Sequence, residues 1–189
     1  MPQNQAIDFT SLEYVFLDRD GVLNRKALPG QYITCCDEFV LLPGVPEAVA
    51  RLNRSGRKVI VATNQRGIAL GLYSNEDLEQ IHAKLKNQLN ESGAHLDAIY
   101  VCPHNEGQCR CRKPLTGLFD QAFRDFPGAS PARSIMIGDS LRDIEAGTRA
   151  GMTTALITSD EFESDDDHRA REMAHLSAAT LPEVVERYL

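Results

Sequence analysis

The sequence lacks any apolar run that approaches the ~18 residues of a membrane-spanning helix, and it has fewer positive than negative side chains. The first absence predicts that the chain has no transmembrane helix. The polar segment from Met1 to Thr10 also lacks the basic and apolar regions of a secretory signal, so we expect a cytoplasmic protein. Lys and Arg number 20 against 27 Asp and Glu, a net charge of −7. This deficit argues against nucleic acid and membranes as partners, since such polyanions need a basic surface.

Cysteine is scarce as well. The chain has five cysteines, too few and too clustered for a disulfide scaffold. With 42% hydrophobic and 25% charged residues, the chain of 189 residues has an ordinary globular composition. We therefore expect a single domain over residues 1–189, and a monomer.

Short apolar runs alternate with amphipathic segments along most of the chain. Because the runs are continuous, they predict strands buried on both faces. The predicted strands are Tyr14–Leu17, Lys58–Thr63, Ala98–Cys102, Ser134–Ile137 and Thr153–Ile157, and the predicted helices are Pro46–Leu52, Ser74–Ser92, Leu118–Phe126, Leu141–Ala150 and Leu181–Leu189. This alternation indicates an α/β fold, a Rossmann-like three-layer sandwich around a parallel sheet of about five strands. The acidic run Asp160–Asp167 is predicted to be a solvated loop.

Carboxylates follow two of the predicted strands, at the edge where such sheets bind ligands. Asp18 and Asp20, at positions i and i+2, face one side, where one carboxylate could attack or bind metal while the other transfers protons. Asp139 follows the fourth strand, and Asp143 lies one helical turn further on. These carboxylates could complete a site for a hard cation such as Mg²⁺. The alternatives are a turn cap at Asp18 or Asp20 and a helix cap at Asp139.

Phosphate-binding groups are predicted at two further places. Thr63, Asn64 and Gln65 end the second strand with hydroxyl and amide groups that suit an oxyanion, although a polar loop start is the alternative. Arg112 and Lys113 offer a planar fork and a point charge for phosphate. These two side chains place positive charge at one point of a chain whose net charge is negative.

A set of four soft ligands lies within ten residues, in the order C-x-H-x4-C-x-C. Its members are Cys102, His104, Cys109 and Cys111. Three thiolates and one imidazole match a closed, tetrahedral structural Zn²⁺ site. Redox chemistry at the C-x-C pair is the weaker alternative, because that pair would close a very small ring. The pair Cys35–Cys36 is predicted to pack in the interior.

Together, these motifs resemble the haloacid dehalogenase superfamily of phosphotransferases. The order D-x-D-G, T-N-Q, R-K-P and G-D-x-x-x-D, from Asp18 to Asp143, is similar to that of its four motifs. More narrowly, L-D-R-D-G-V-L-N with C-P-H…C-x-C-R-K-P resembles the D,D-heptose 1,7-bisphosphate phosphatases and the related histidinol phosphatases. Ser140 departs from the lysine common at that position in the heptose enzymes.

The resemblance implies a role for each matched residue. Asp18 would form an aspartyl-phosphate, and Asp20 would protonate the leaving alcohol and then activate water. The phosphate-binding residues would be Thr63, Asn64 and Lys113; the substrate-binding residues Gln65, Arg66, Arg112 and Ser140; the Mg²⁺ ligands Asp18, Asp20 through its backbone carbonyl, and Asp139; and the Zn²⁺ ligands Cys102, His104, Cys109 and Cys111 of the loop 102–111.

The length of the chain leaves little room for the cap domain that many members of this superfamily carry. Only 16 residues separate Asn24 from Leu41, and 47 separate Gln65 from Lys113. We therefore expect a capless enzyme with an open site, acting on a small phosphorylated sugar, most simply a heptose bisphosphate. A histidinol-phosphate or other small-phosphomonoester phosphatase is the first alternative. A non-catalytic, zinc-stabilised binding domain is the second.

Overall fold

The computed structural model describes residues 7–158 and 164–189. These residues form one parallel sheet with the strand order β3-β2-β1-β4-β5-β6. The strands are β1 (Tyr14–Leu17), β2 (Lys58–Asn64), β3 (Ala98–Cys102), β4 (Ser134–Gly138), β5 (Thr153–Ile157) and β6 (Leu176–Ala178). The α/β prediction is therefore confirmed, with six strands rather than about five.

The register of the central strands brings their carboxyl ends together. Leu17, the last residue of β1, is level with Val61 of β2 and with Ile137 of β4. Because all three strands are parallel, the residues that follow them emerge at one edge of the sheet. The topology thus converts three distant motifs into neighbours.

Helices cover both faces of the sheet. They are α1 (Val45–Arg54), α2 (Asn75–Glu91), α3 (Gly117–Asp125), α4 (Leu141–Arg149), α5 (Asp165–Met173) and α6 (Leu181–Tyr188). One core joins α1, α2 and α6 to Val15 and Leu17, and the other joins α3 and α4 to Phe16, while α5 packs on α4. Successive strand residues point to opposite faces, so a continuous apolar strand serves both cores.

Two elements near the C-terminus depart from the sequence prediction. β6 has three residues and includes a serine, so it makes no apolar run. α5 begins after Ser164, whose hydroxyl accepts a hydrogen bond from the Asp167 backbone, while the Asp167 carboxylate accepts one from the Ser164 backbone. The acids at 165–167 therefore start a helix and stabilise its positive end, and the loop prediction is wrong for them. Residues 159–163 lie outside the described residues.

No cap domain is present within residues 7–158 and 164–189. Between β1 and α1 the only helical element is the short 3-10 turn Cys36–Glu38, and between β2 and β3 the only one is α2. No helix in these ranges has the length and apolarity needed to cross a bilayer. Loops of the domain itself therefore surround the carboxyl edge of the sheet.

Candidate functional site

Three carboxylates meet at the carboxyl edge of the sheet. Asp18 follows β1, Asp139 follows β4, and Asp143 lies in the first turn of α4. One oxygen atom from each lies within 4.8 Å of the others, and we call this group the carboxylate cluster. Gly21 has a φ of +87°, and a Cβ there would lie 2.1 Å from Asp139 Oδ2, so only glycine permits this approach. The structure thus brings together three of the four carboxylates that the sequence predicted as neighbours.

A buried lysine neutralises part of the carboxylate cluster. Lys113 Nζ lies 3.0 Å from Asp18 Oδ1 and 2.5 Å from Asp143 Oδ1. Burial would lower the pKa of Lys113, but Asp143 and Asp18 raise it above its ordinary value, so the side chain is a cation. The other oxygen of Asp143 accepts hydrogen bonds from the backbone and hydroxyl of Ser140, at 3.1 and 2.6 Å. Asp143 therefore orients Lys113 towards Asp18.

Negative charge in the cluster still exceeds positive charge. Burial raises the pKa of Asp18 to about 7, against the opposing effect of Lys113. Burial also raises the pKa of Asp139, although Lys26 Nζ lies 2.6 Å from its Oδ2 and opposes the shift. A set of hard oxygen ligands with uncompensated negative charge fits Mg²⁺, which prefers such ligands and keeps several waters.

Asp20 lies beside the cluster among several N–H donors. The buried Arg19 donates from Nη2 to both carboxylate oxygens, at 3.0 and 2.9 Å. Asn24 donates to Oδ1 and Gln65 to Oδ2, each at 2.9 Å. Burial would raise the pKa of Asp20, but the charge of Arg19 and these hydrogen bonds lower it below its ordinary value. Asp20 is therefore an ionised carboxylate with a fixed orientation.

The three polar residues at the end of β2 are placed differently from one another. Thr63 is buried, and its Oγ1 accepts a hydrogen bond of 2.9 Å from Gln65 Nε2. The Asn64 side chain binds the backbone of Lys113, donating to its carbonyl at 3.0 Å and accepting from its N–H at 3.1 Å. Asn64 thus connects β2 to the segment that carries Lys113. Gln65 is 3% exposed and lies under Asp20, away from the surface where a substrate contact was expected.

The other predicted substrate-binding residues lie around the same edge. Arg66 is half-buried, and its Nε donates to Asn105 Oδ1 at 2.8 Å. Arg112 is half-buried, and its Nη1 is without a hydrogen-bond partner among the described residues. The Ser140 hydroxyl is donated to Asp143 and serves the start of α4. Arg112 therefore has the most unused donor capacity of the three.

A second cluster lies between β3 and α3 and consists of Cys102, His104, Cys109 and Cys111; we call it the thiol cluster. Its Sγ–Sγ distances from Cys109 are 3.5 Å to Cys102 and 3.4 Å to Cys111. His104 Nδ1 lies 3.7 Å from the Cys102 sulfur and 3.5 Å from the Cys111 sulfur. A tetrahedral Zn²⁺ with Zn–S near 2.3 Å has ligand atoms roughly 3.5–3.8 Å apart, so the cluster fits this ion.

The pKa of a thiol in this cluster depends on its burial and on the nearby sulfurs. Burial and the neighbouring sulfurs raise the pKa of Cys111 to about 12, because thiolates brought this close repel one another. All five cysteines are free, so Cys109 and Cys111 form no disulfide. Cys36 packs against the core as predicted, whereas Cys35 is exposed, which corrects the prediction for that residue.

Sequence reasoning missed three residues of this region. Arg19 lies inside the D-R-D-G motif, but the motif assigns roles only to its two aspartates. Lys26 and Tyr73 lie in loops without a motif, and only the fold brings them to Asp139 and Gln65. No local sequence pattern marks a loop residue whose partner is 113 positions away, as Asp139 is from Lys26.

Comparisons with known proteins agree with this geometry. A family model described as HAD-hydrolase-like matches residues 110–184. The D-glycero-beta-D-manno-heptose-1,7-bisphosphate 7-phosphatase of Bordetella bronchiseptica is 38% identical over 77% of this chain and 80% of that protein. The D-glycero-alpha-D-manno-heptose-1,7-bisphosphate 7-phosphatase of Mycobacterium bovis is 42% identical over 69% of each chain.

Solved structures give the same result. The crystal structure of D,D-heptose 1,7-bisphosphate phosphatase from B. bronchiseptica, complexed with magnesium and phosphate, superposes with a TM-score of 0.81. The match has 32% sequence identity and covers 93% of this chain and 97% of the other. The chain belongs to the haloacid dehalogenase-like hydrolases, in the family of the heptose 1,7-bisphosphate 7-phosphatases.

Proposed function

We propose that this chain is a Mg²⁺-dependent phosphatase that converts D-glycero-D-manno-heptose 1,7-bisphosphate to heptose 1-phosphate and phosphate. The observation that carries the proposal is the position of the Asp18 carboxylate, within 3.0 Å of the buried Lys113 and beside the fixed carboxylate of Asp20. Phosphoryl transfer depends mainly on positioning and on neutralising charge, and this edge of the sheet supports both.

Asp18 acts as the nucleophile and forms an aspartyl-phosphate. Lys113 holds Asp18 in place and neutralises charge on the transferring phosphoryl group, to which Thr63 also donates. Asp18, Asp139 and the backbone carbonyl of Asp20 would hold Mg²⁺, which supplies further neutralisation of phosphoryl charge when bound. The magnesium and phosphate in the related B. bronchiseptica structure support this assignment.

Asp20 transfers protons. As an acid it protonates the leaving alkoxide, and as a base it takes a proton from the water that hydrolyses the aspartyl-phosphate. The donors around Asp20 lower its pKa and keep it ionised, which is the form that the base step needs. Protonation of Asp20 for the acid step therefore requires the negative phosphate group to enter beside it.

An open site suits the proposed substrate. Without a cap among the described residues, a sugar with two phosphates reaches the edge of the sheet directly. The half-buried guanidinium of Arg112, next to the thiol cluster and without a partner for its Nη1 among the described residues, would bind the phosphate that does not react. Zn²⁺ in the thiol cluster would hold this loop, since the Arg112 backbone donates to Cys109 Sγ at 3.3 Å.

The experiment measures phosphate release, with added Mg²⁺, from the α and β anomers of heptose 1,7-bisphosphate, from histidinol phosphate and from simple sugar monophosphates. We expect the highest kcat/KM with one of the two heptose anomers, and ³¹P NMR should show loss of the C7 phosphate. A preference for histidinol phosphate would favour the alternative phosphatase. No release from any phosphomonoester would favour a non-catalytic domain.

A further inference from the structure

The side chain of Gln65 lies between Asp20 and Thr63, two residues with roles in the proposed reaction. Its Nε2 donates to Asp20 Oδ2 and to Thr63 Oγ1, both at 2.9 Å. One amide therefore fixes the proton-transferring carboxylate relative to the hydroxyl that faces the phosphate. Because Thr63 Oγ1 accepts from Gln65, its own hydrogen remains available for a phosphoryl oxygen.

The amide of Gln65 can adopt only one orientation. An ionised Asp20 accepts hydrogen bonds and donates none, so Nε2 must face it and Oε1 must face the opposite way. Oε1 then accepts a short hydrogen bond of 2.6 Å from the hydroxyl of Tyr73. Both polar atoms of the Gln65 side chain are hydrogen-bonded within the protein, and the residue is only 3% exposed, so a sugar has no access to them.

Tyr73 is held by the loop between β2 and α2. The residue is 6% exposed, and a Cβ at position 67 would lie 2.1 Å from its ring, so Gly67 leaves the space that the ring fills. The backbone N–H of Gln65 donates to the Cys102 carbonyl at 2.7 Å and fixes the start of this loop. Tyr73 and Gln65 therefore form a rigid support beneath Asp20.

We propose that Gln65, oriented by Tyr73, is a positioning residue that sets the geometry of Asp20 against Thr63, and that it does not contact the substrate. This inference rests on the proposed phosphatase function. It revises the sequence-based expectation that Gln65 binds substrate, because the side chain is buried and both of its polar atoms are hydrogen-bonded within the protein.

The test compares two kinds of substrate in three variants. Gln65→Met keeps the length of the side chain and removes its hydrogen bonds, Tyr73→Phe removes one hydroxyl, and Tyr100→Phe is the control. Tyr100 is 7% exposed and donates to Asp125 at 2.8 Å, away from Asp20. The substrates are heptose bisphosphate and glycerol phosphate, with poor leaving groups, and p-nitrophenyl phosphate, whose leaving group needs no protonation. The ratio of kcat/KM for the alkyl phosphates to kcat/KM for p-nitrophenyl phosphate reports how well Asp20 is positioned to protonate the leaving group.

For Gln65→Met we expect kcat/KM to fall about 100-fold with both alkyl phosphates and less than about 10-fold with p-nitrophenyl phosphate. For Tyr73→Phe we expect the same pattern with a loss of roughly fivefold, as for one hydrogen bond. Tyr100→Phe should leave the ratio unchanged. Thermal unfolding checks each variant, and if Gln65→Met does not fold, Tyr73→Phe decides the question.

Two results would overturn the positioning role. Equal losses with all substrates would mean that the residues are only structural, and a loss confined to heptose bisphosphate would mean that Gln65 contacts the sugar. Wild-type enzyme that hydrolyses none of these substrates would instead defeat the proposed function, and with it the role of Gln65.

Discussion

The carboxylate cluster and the thiol cluster each have ligands that suit a cation, but they are assembled in opposite ways. The thiol cluster takes its four ligands from ten consecutive residues, 102–111, and its atoms already have tetrahedral spacing. The carboxylate cluster takes Asp18 and Asp139 from strands far apart in sequence, and the protein itself partly neutralises it with Lys113 and Lys26. In the proposed function, the thiol cluster would stabilise a loop, whereas the carboxylate cluster would take part in the reaction.

The two clusters also differ in whether a cationic side chain of the protein already pairs with the groups that would bind the metal ion. In the thiol cluster no cationic side chain competes for the ligands among the described residues, which suits a permanent structural ion. In the carboxylate cluster Lys26 lies on Asp139, and a divalent ion must displace it. A weakly held, exchangeable Mg²⁺ and a tightly held Zn²⁺ are therefore expected in one small domain.

Lys113→Met should have the largest effect on stability, because it leaves Asp18 and Asp143 buried without their cation. We expect a loss of about 3–5 kcal/mol in the free energy of unfolding and at least a roughly 100-fold fall in kcat. Denaturant unfolding and phosphate release measure these changes. Lys58→Met is the control, since Lys58 pairs with Asp97 at the opposite end of β2. A stable, active Lys113→Met protein would contradict the account.

Cys109→Ser should come next, because it removes one thiolate ligand of the thiol cluster and replaces the sulfur that accepts the Arg112 backbone N–H with a smaller hydroxyl oxygen. We expect loss of bound Zn²⁺ from one per chain, a lower Tm, and a fall in kcat/KM of about tenfold or less, since the reacting groups lie elsewhere. Metal analysis by mass spectrometry and thermal unfolding measure this. Cys35→Ser, at an exposed cysteine outside the cluster, is the matched control, and equal zinc contents in the two variants would refute the site.

The two clusters should also respond to pH with opposite signs. The folded protein raises the pKa of Asp18 to about 7 from an ordinary 3.8, so the folded state holds a proton that the unfolded state has lost. Stability from this group is full below pH 4 and is lost as the pH rises through 7. Zn²⁺ binding changes the other way, because acid protonates the thiolates.

Thermal unfolding of zinc-loaded protein without added Mg²⁺ isolates the Asp18 effect. Between pH 5 and pH 8, Asp18→Asn should gain Tm relative to the wild type by several degrees. Added Mg²⁺ should reduce the gain, since it stabilises the ionised wild-type cluster. A difference in Tm that is constant across this pH range would show that Asp18 titrates as an ordinary aspartate.

The smallest effect is expected for Lys26→Met. Lys26 is 58% exposed and competes with a cation for Asp139, so its removal should tighten Mg²⁺ binding by only about two- to fivefold. Isothermal titration calorimetry measures this without turnover. Lys58→Met, 50% exposed and equally paired, should leave the affinity unchanged. Weaker Mg²⁺ binding by Lys26→Met would mean that the lysine does not compete.

Local patterns in the sequence predicted more than long-range ones. Five strands, five helices and the ligands of the thiol cluster follow from apolar runs, caps and spacing within a few residues. β6 and α5 were missed because a three-residue strand with a serine and an acidic helix carry little apolar signal. Lys26 was missed because its partner is 113 residues away and only the sheet topology joins them.

The most direct test of the account is the rate of phosphate release from heptose 1,7-bisphosphate by Asp18→Asn, with zinc measured on the same sample. In the proposed function, phosphoryl transfer takes place at the carboxylate cluster, and the structural metal ion binds in the thiol cluster. This assignment predicts that the variant keeps one Zn²⁺ per chain and a folded structure while kcat falls by at least roughly 1,000-fold. A rate within tenfold of the wild type would contradict it.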